Sequence, residues 1–139
     1  LSHAYLKNSK VGDALINVSS TLAFMPMPGI GLYSATKSFV TSFTETLWYE
    51  QKKRGVFVMA LHPGITSTRF QTNAGGKMED LPKNMAQTPE QVAEVAVSKL
   101  LRRNSPTVIS GPMNKFMAGF SRIMPRKSAV SMMGGMMKQ

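Results

Sequence analysis

Two spacings of apolar residues alternate along this chain. Ala14–Val18 and Val56–Leu61 are continuous apolar runs of strand length, as expected for parallel strands covered on both faces. A third, shorter run, Thr107–Ser110, ends at Gly111-Pro112. Between the first two runs, Phe39, Val40, Phe43, Leu47 and Trp48 recur at steps of three and four, which predicts a helix from about Leu32 to Arg54. Residues 19–32 form a loop punctuated by proline and glycine. The helix closes at Lys52-Lys53-Arg54-Gly55, with cations on the negative end of the dipole and glycine beyond it. After the second run, Thr88-Pro89-Glu90-Gln91 reads as a helix start, with Thr as N-cap, Pro at the first helical position and Gln completing a capping box. Val92, Val95, Ala96 and Leu100 line the inner face of that helix, and Arg102-Arg103 close it. Leu1, Tyr5 and Leu6 read as the tail of a helix running into the polar connection Lys7–Asp13. Strands joined by helices imply right-handed parallel crossovers, hence a three-stranded α/β unit.

The chemistry gathers between the first strand and the first long helix. Tyr33 and Lys37 stand four residues apart in the first turn of that helix, and so on one face. Ser20 lies thirteen residues before the tyrosine, at the end of the apolar run. A phenol is a poor base near neutrality, and a neighbouring cation favours its ionised form. The serine hydroxyl can donate to or accept from the same substrate oxygen. The three groups therefore suit proton exchange with a carbonyl or alcohol oxygen. Tyr-x-x-x-Lys alone is common on solvated helix faces. The context sets this one apart: an apolar strand ends in Ser-Ser, and Pro26, Pro28, Gly29 and Gly31 bring the chain back to the helix start.

Asn17-Val18-Ser19-Ser20 and Tyr33-Ser34-Ala35-Thr36-Lys37 resemble the active-site segments of the short-chain dehydrogenase/reductase family. The resemblance implies an α/β fold, with residues 1–112 as the C-terminal part of a Rossmann-like doubly wound parallel sheet: about three strands with flanking helices, the fifth to seventh of the family domain. It implies an NAD(P)-dependent oxidoreductase that interconverts a carbonyl and an alcohol by hydride transfer. The implied catalytic residues are Ser20, Tyr33 and Lys37. Tyr33 would be the proton donor or acceptor, Ser20 would hold the substrate oxygen, and Lys37 would act on the phenol and bind the nicotinamide ribose. The turn Pro63, Gly64, Ile65, Thr66, Ser67, Thr68 looks like the family's Pro-Gly-x-x-x-Thr, which approaches the nicotinamide. Cofactor contacts are thus expected from Tyr33, Lys37, Pro63, Gly64, Ile65, Thr66 and Thr68. Glycine there lets backbone come close, and hydroxyl and amide donors suit a carboxamide. Thr66 departs from the family, which often has an aliphatic residue at that place. The Gly-rich turn for the pyrophosphate, the residue that separates NAD from NADP and a relay asparagine would all lie before Leu1. Asn8 stands too close to the strand to be that asparagine. Gly29-Ile30-Gly31 is no substitute for the Gly-rich turn, because no strand leads into it. The chain alone is therefore expected to be inactive.

Composition narrows the picture. A length of 139 residues with 42% hydrophobic and 17% charged content fits one globular unit. The absence of cysteine excludes disulfides and thiolate metal sites, and the distant His3 and His62 form no metal pattern. A net charge of +10 points to an anionic partner such as a nucleotide cofactor, an acyl carrier or a lipid surface, unless the balancing acids lie elsewhere in a longer protein. No nucleic-acid partner is expected. Residues 113–139 form a basic, Met-rich tail. In it, Asn114–Met124 predicts an amphipathic helix with Phe116, Met117, Phe120, Ile123 and Met124 on one side, stopped by Pro125. Three readings of the tail stand side by side: packing against the domain or a second subunit, a cover over an apolar substrate pocket, or a lipid-surface helix aided by Lys115, Arg122, Arg126 and Lys127. No apolar run reaches membrane-span length and no basic-then-apolar leader opens the chain, so the expected location is cytoplasmic, with membrane contact through the tail.

The substrate is expected to be a small, lipophilic carbonyl or alcohol. The resemblance leans toward the hydroxysteroid dehydrogenase and 3-oxoacyl reductase branches. Residues 69–87, with Gly75-Gly76 and Pro82, read as an irregular functional loop, where the resemblance places substrate binding. The apolar set of the long helix, including Trp48 and Tyr49, is broader than the roughly 100° stripe needed to cover its own sheet. That surplus predicts a homodimer or homotetramer, unless Trp48 and Tyr49 pack under a helix outside this segment. A second function class is a non-catalytic truncated protein that binds a partner through an unpaired strand edge at 14–18 or through the tail.

Overall fold

The computed structural model describes residues 1–69 and 86–136, the last of these by its backbone alone. Most of the irregular 69–87 loop, with Gly75-Gly76 and Pro82, lies outside the described residues, as does Met137. The described chain holds three parallel strands in the order β1 (Ala14–Val18), β2 (Phe57–His62), β3 (Thr107–Ile109). Leu15 pairs with Val58 and Val18 with Leu61, while Leu61 pairs with Val108 and His62 with Ile109. Five α-helices accompany them: α1 (Ser2–Asn8), α2 (Gly31–Gln51), α3 (Pro89–Arg102), α4 (Pro112–Ile123) and α5 (Arg126–Met136).

β2 is the axis of the core, and all six of its residues are buried. Side chains of a strand alternate between faces. Phe57, Met59 and Leu61 pack with Val92 and Ala96 of α3, whereas Val58 packs with Leu47 of α2 and Leu6 of α1. Helices thus cover both faces, and a continuous apolar run is what such a strand requires. Complete burial of Val58 and Met59 contributes about 1.5–3 kcal/mol for each side chain. β1 is only half-buried and lies at the edge of the sheet. The Tyr5 hydroxyl of α1 donates to its Ala14 carbonyl at 3.0 Å.

The predicted ends of the helices hold. Gly55 takes a left-handed conformation (φ 68°) after the 3-10 turn Lys52–Arg54 that continues α2. At the start of α3, the Thr88 hydroxyl accepts from the Gln91 amide, and the Gln91 side chain accepts from the Thr88 amide.

The faces of two helices differ from the sequence expectation. The sheet-facing side of α2 is Ser34, Thr41, Thr44 and Leu47. Phe39 and Phe43 stack on the outside with ring centroids 5.7 Å apart, and Tyr49 is exposed too. Trp48, expected at a second contact surface, instead packs against the core of its own chain, with the Lys52 ammonium over its ring. Hydroxyl side chains occupy the inner face because they have partners there: the Asn17 amide donates to Thr44 Oγ1 at 3.0 Å, and Thr44 Oγ1 donates to the Val40 carbonyl. In α4 the buried residues are Ala118 and Ser121; of the predicted apolar side, Phe116, Phe120 and Ile123 face outward, while Met117 and Met124 are half-buried. The buried residues of the tail are Ala118, Ser121, Ala129 and Met133.

Candidate active site

β1 and β2 end side by side, and the loops that leave them are tied together. The Ser19 amide donates to the Leu61 carbonyl and the Thr21 amide to the Pro63 carbonyl. This places Ser20, at the start of the 3-10 turn Thr21–Ala23, next to the Pro63–Thr68 turn. Ser20 is buried, and its Oγ accepts from the Leu22 amide at 3.2 Å. That bond leaves the hydroxyl proton for another acceptor.

Tyr33 and Lys37 project from the first two turns of α2, as their spacing predicts. The Lys37 ammonium lies 5.6 Å from the centroid of the Tyr33 ring and donates to the Val18 carbonyl at 3.0 Å. Burial pushes the Lys37 ammonium below its ordinary range. The strand end therefore fixes the lysine, and the lysine lies across the tyrosine face.

Beneath these groups runs a polar layer that the sequence reading did not single out. The Ser19 hydroxyl donates to the Lys37 carbonyl at 2.8 Å and lies 2.9 Å from Thr41 Oγ1. Thr41 Oγ1 lies 2.9 Å from His62 Nε2, and His62 Nδ1 lies 3.1 Å from the Val108 carbonyl. His62 is the last residue of β2 and is fully buried. A carbonyl accepts only, so Nδ1 carries the proton and Nε2 of the neutral ring accepts from Thr41. Burial lowers the imidazole below its ordinary value of 6.5; the Val108 carbonyl, Glu45 and the Ala60 backbone act against that shift, and Arg122 acts with it. One signal was legible in the sequence: Thr41 stands four residues after Lys37 and eight after Tyr33, and so continues the face of the helix that carries them.

The Pro63–Thr68 turn is braced from behind. Thr66 pairs with Gln87: the Ser67 amide donates to the Gln87 carbonyl, the Gln87 amide donates to the Ile65 carbonyl, and Thr66 Oγ1 donates to the Gly64 carbonyl at 3.2 Å. A Cβ at Gly64 would lie 2.3 Å from Asn114 Nδ2. Close approach is the reason for this glycine, as expected, but the approaching group is the Asn114 carboxamide of α4. Asn114 Nδ2 in turn donates to the Ser110 carbonyl at 2.7 Å. Asn114 and Gln87 are residues that only the tertiary structure brings to the turn.

These residues fit the nicotinamide end of a dinucleotide: an ammonium and three hydroxyl side chains (Ser20, Tyr33, Thr68) stand beside a turn of backbone amides. Among the described residues no Gly-x-Gly-x-x-Gly turn leads from a strand into a helix, so the pyrophosphate end has no cradle here. No cluster of His, Asp or Glu among the described residues could hold a metal ion.

The comparisons agree with this architecture. Residues 2–79 match the short chain dehydrogenase family. Over 104 residues the chain is 38% identical to the 7beta-hydroxysteroid dehydrogenase of Mediterraneibacter gnavus, covering 73% of this chain and 39% of that protein. Over 112 residues it is 33% identical to the very-long-chain 3-oxoacyl-CoA reductase of Mus musculus, covering 81% and 33%. A solved 7beta-hydroxysteroid dehydrogenase superposes with a TM-score of 0.72 at 30% identity, over 86% of this chain and 47% of the other. A short-chain dehydrogenase from Sphingobium yanoikuyae, solved with NADPH, shares the fold with a TM-score of 0.63 at 24% identity, over 81% and 46%. The chain belongs to the short-chain dehydrogenase family, and the α/β fold is that of a Rossmann-like parallel sheet. It spans less than half the length of these relatives.

Proposed function

We propose that the whole protein is an NAD(P)-dependent oxidoreductase that interconverts a lipophilic ketone and its alcohol, with Ser20, Tyr33 and Lys37 as its catalytic residues. The observation that carries this reading is the placement of Lys37 across Tyr33 at 5.6 Å, beside the loop that presents Ser20. A bound nicotinamide would supply or take the hydride. In reduction, Tyr33 gives its phenol proton to the carbonyl oxygen while Ser20 donates a hydrogen bond to that oxygen. In oxidation, Tyr33 takes the proton from the alcohol. The positive charge of Lys37 stabilises the phenolate left behind. Pro63, Gly64, Ile65, Thr66 and Thr68 would line the nicotinamide, and Lys37 would reach its ribose. The substrate class follows the named relatives, a hydroxysteroid dehydrogenase and a 3-oxoacyl-CoA reductase.

The test uses the whole protein with NADPH or NADH and a panel of steroid ketones and long-chain 3-oxoacyl thioesters. Loss of nicotinamide absorbance with matching formation of alcohol is expected. No turnover with any member, in either direction, would sink the reading. Ser20→Ala should lower kcat by at least tenfold with little change in KM for the cofactor, because the hydroxyl acts on the reacting oxygen.

We also propose that the outer face of α2 meets a second copy. Phe39 is 67% exposed and stacks on Phe43, and such rings suit the centre of a two-fold contact. The packing of Trp48 against the core of its own chain moves the test to Phe43. Phe43→Glu should convert an oligomer to a monomer in sedimentation, with unchanged circular dichroism. A wild-type monomer would refute the contact.

A further inference from the structure

The arrangement of α4 is inside out. Its domain side is made of Asn114, Ala118 and Ser121, small or polar groups that let the helix come close. Its large apolar residues lie opposite. Phe116 is 67% exposed and Ile123 80%, with Met113 and Phe120 beside them, and the two phenyl rings stack 6.2 Å apart. Met113, Phe116, Phe120 and Ile123 recur at steps of three and four, so they form one stripe along the helix. A helix held only by its own core turns such a stripe inward. An exposed stripe of this length marks a surface that something else covers.

Charge indicates what covers it. Every charged residue after Glu94 is a lysine or an arginine. Lys115 stands on one flank of the stripe, and Arg126 and Lys127 follow at the exposed start of α5. No carboxylate of this region would oppose an anionic surface. A second copy of the same face would bring cations against cations, which disfavours a self-contact.

We propose that α4 lies on an anionic lipid surface, with its aromatic stripe at the boundary of headgroups and acyl chains and its cations among the headgroups. The opposite side of α4 carries Asn114 against Gly64, and the Arg122 guanidinium 5.4 Å over the Phe24 ring. Docking therefore holds the candidate site at the membrane surface, where a lipophilic substrate would reach it. The inference stands apart from the oxidoreductase reading, because lipid binding is measured without turnover.

The test is flotation of the full chain with phosphatidylcholine vesicles and with mixed phosphatidylcholine–phosphatidylserine vesicles. Binding is expected only to the mixed vesicles, and it weakens as salt is raised. Arg126→Glu with Lys127→Glu should lower partitioning by more than tenfold, at roughly a fewfold for each cation removed. Phe116→Ser with Ile123→Ser should abolish binding while leaving circular dichroism and Tm unchanged, since both side chains are exposed. No binding to either vesicle, or binding kept by both variants, overturns the proposal. So does a dimer in solution that the Phe116→Ser, Ile123→Ser variant splits while neither protein binds vesicles, because a second copy then covers the face.

Discussion

Tyr33→Phe in the whole protein is expected to lower turnover by about two orders of magnitude or more, while fold and cofactor affinity stay within a few-fold of the parent. The substitution removes one hydroxyl and keeps the ring. Tyr33 is half-buried, and Lys37 is held independently by the Val18 carbonyl, so little packing is at stake. On the proposed mechanism, what goes is the proton that would reach the carbonyl oxygen as the hydride arrives. Single-turnover rates with a ketone that the parent reduces give the readout. Rates within a few-fold of the parent would remove Tyr33 from the chemistry and leave Ser20 or a water as donor.

His62→Ala is expected to cost about 3 kcal/mol of stability at neutral pH, far more than a surface change. The substitution opens a cavity in the most buried part of the sheet and strips partners from Thr41 and from the Val108 carbonyl. Burial also holds the imidazole below its ordinary value of 6.5, so the folded chain keeps it neutral when the unfolded chain has taken up a proton. The stability that depends on neutral His62 is complete above about pH 6.5 and falls as the pH drops from there toward the lowered folded value. Protonation puts a second N–H on the ring, and Nε2 can no longer accept from Thr41. Denaturant titrations of parent and variant from neutral to mildly acidic pH are the check. The difference between them should shrink as the pH falls, and a constant difference would show that His62 does not titrate with folding.

Spacing by itself made the candidate face of α2 legible. Tyr33 and Lys37 share a face in any helix, because four residues make slightly more than one turn. The apolar run Val56–Leu61 announced a strand covered on both sides, and Thr88-Pro89 with Gln91 announced a helix start, since these depend on contacts within a few residues. The same locality explains the errors. Phe39 and Phe43 have helical periodicity, and periodicity says that a stripe exists but not which way it turns. The inward face of α2 is instead the hydroxyl row of Thr41 and Thr44. Those hydroxyls are tolerated inside only because Asn17, Ser19 and His62, up to twenty-seven residues away in sequence, supply their hydrogen bonds.

The tail repeats the lesson with the opposite consequence. Its amphipathic pattern predicted a helix from Asn114, two residues after the observed start at Pro112, but the small residues Ala118 and Ser121 set the depth of packing and left Phe116 and Ile123 outside. Gly64 likewise announced a close approach without naming Asn114 as the neighbour. The sequence alone determined the parallel α/β order, the helix ends and the Ser20, Tyr33, Lys37 spacing, all of which rest on short-range geometry. The tertiary structure decided which faces are buried, where His62 sits and what braces the Pro63–Thr68 turn, because those depend on partners that only the folded chain brings within hydrogen-bond or van der Waals distance.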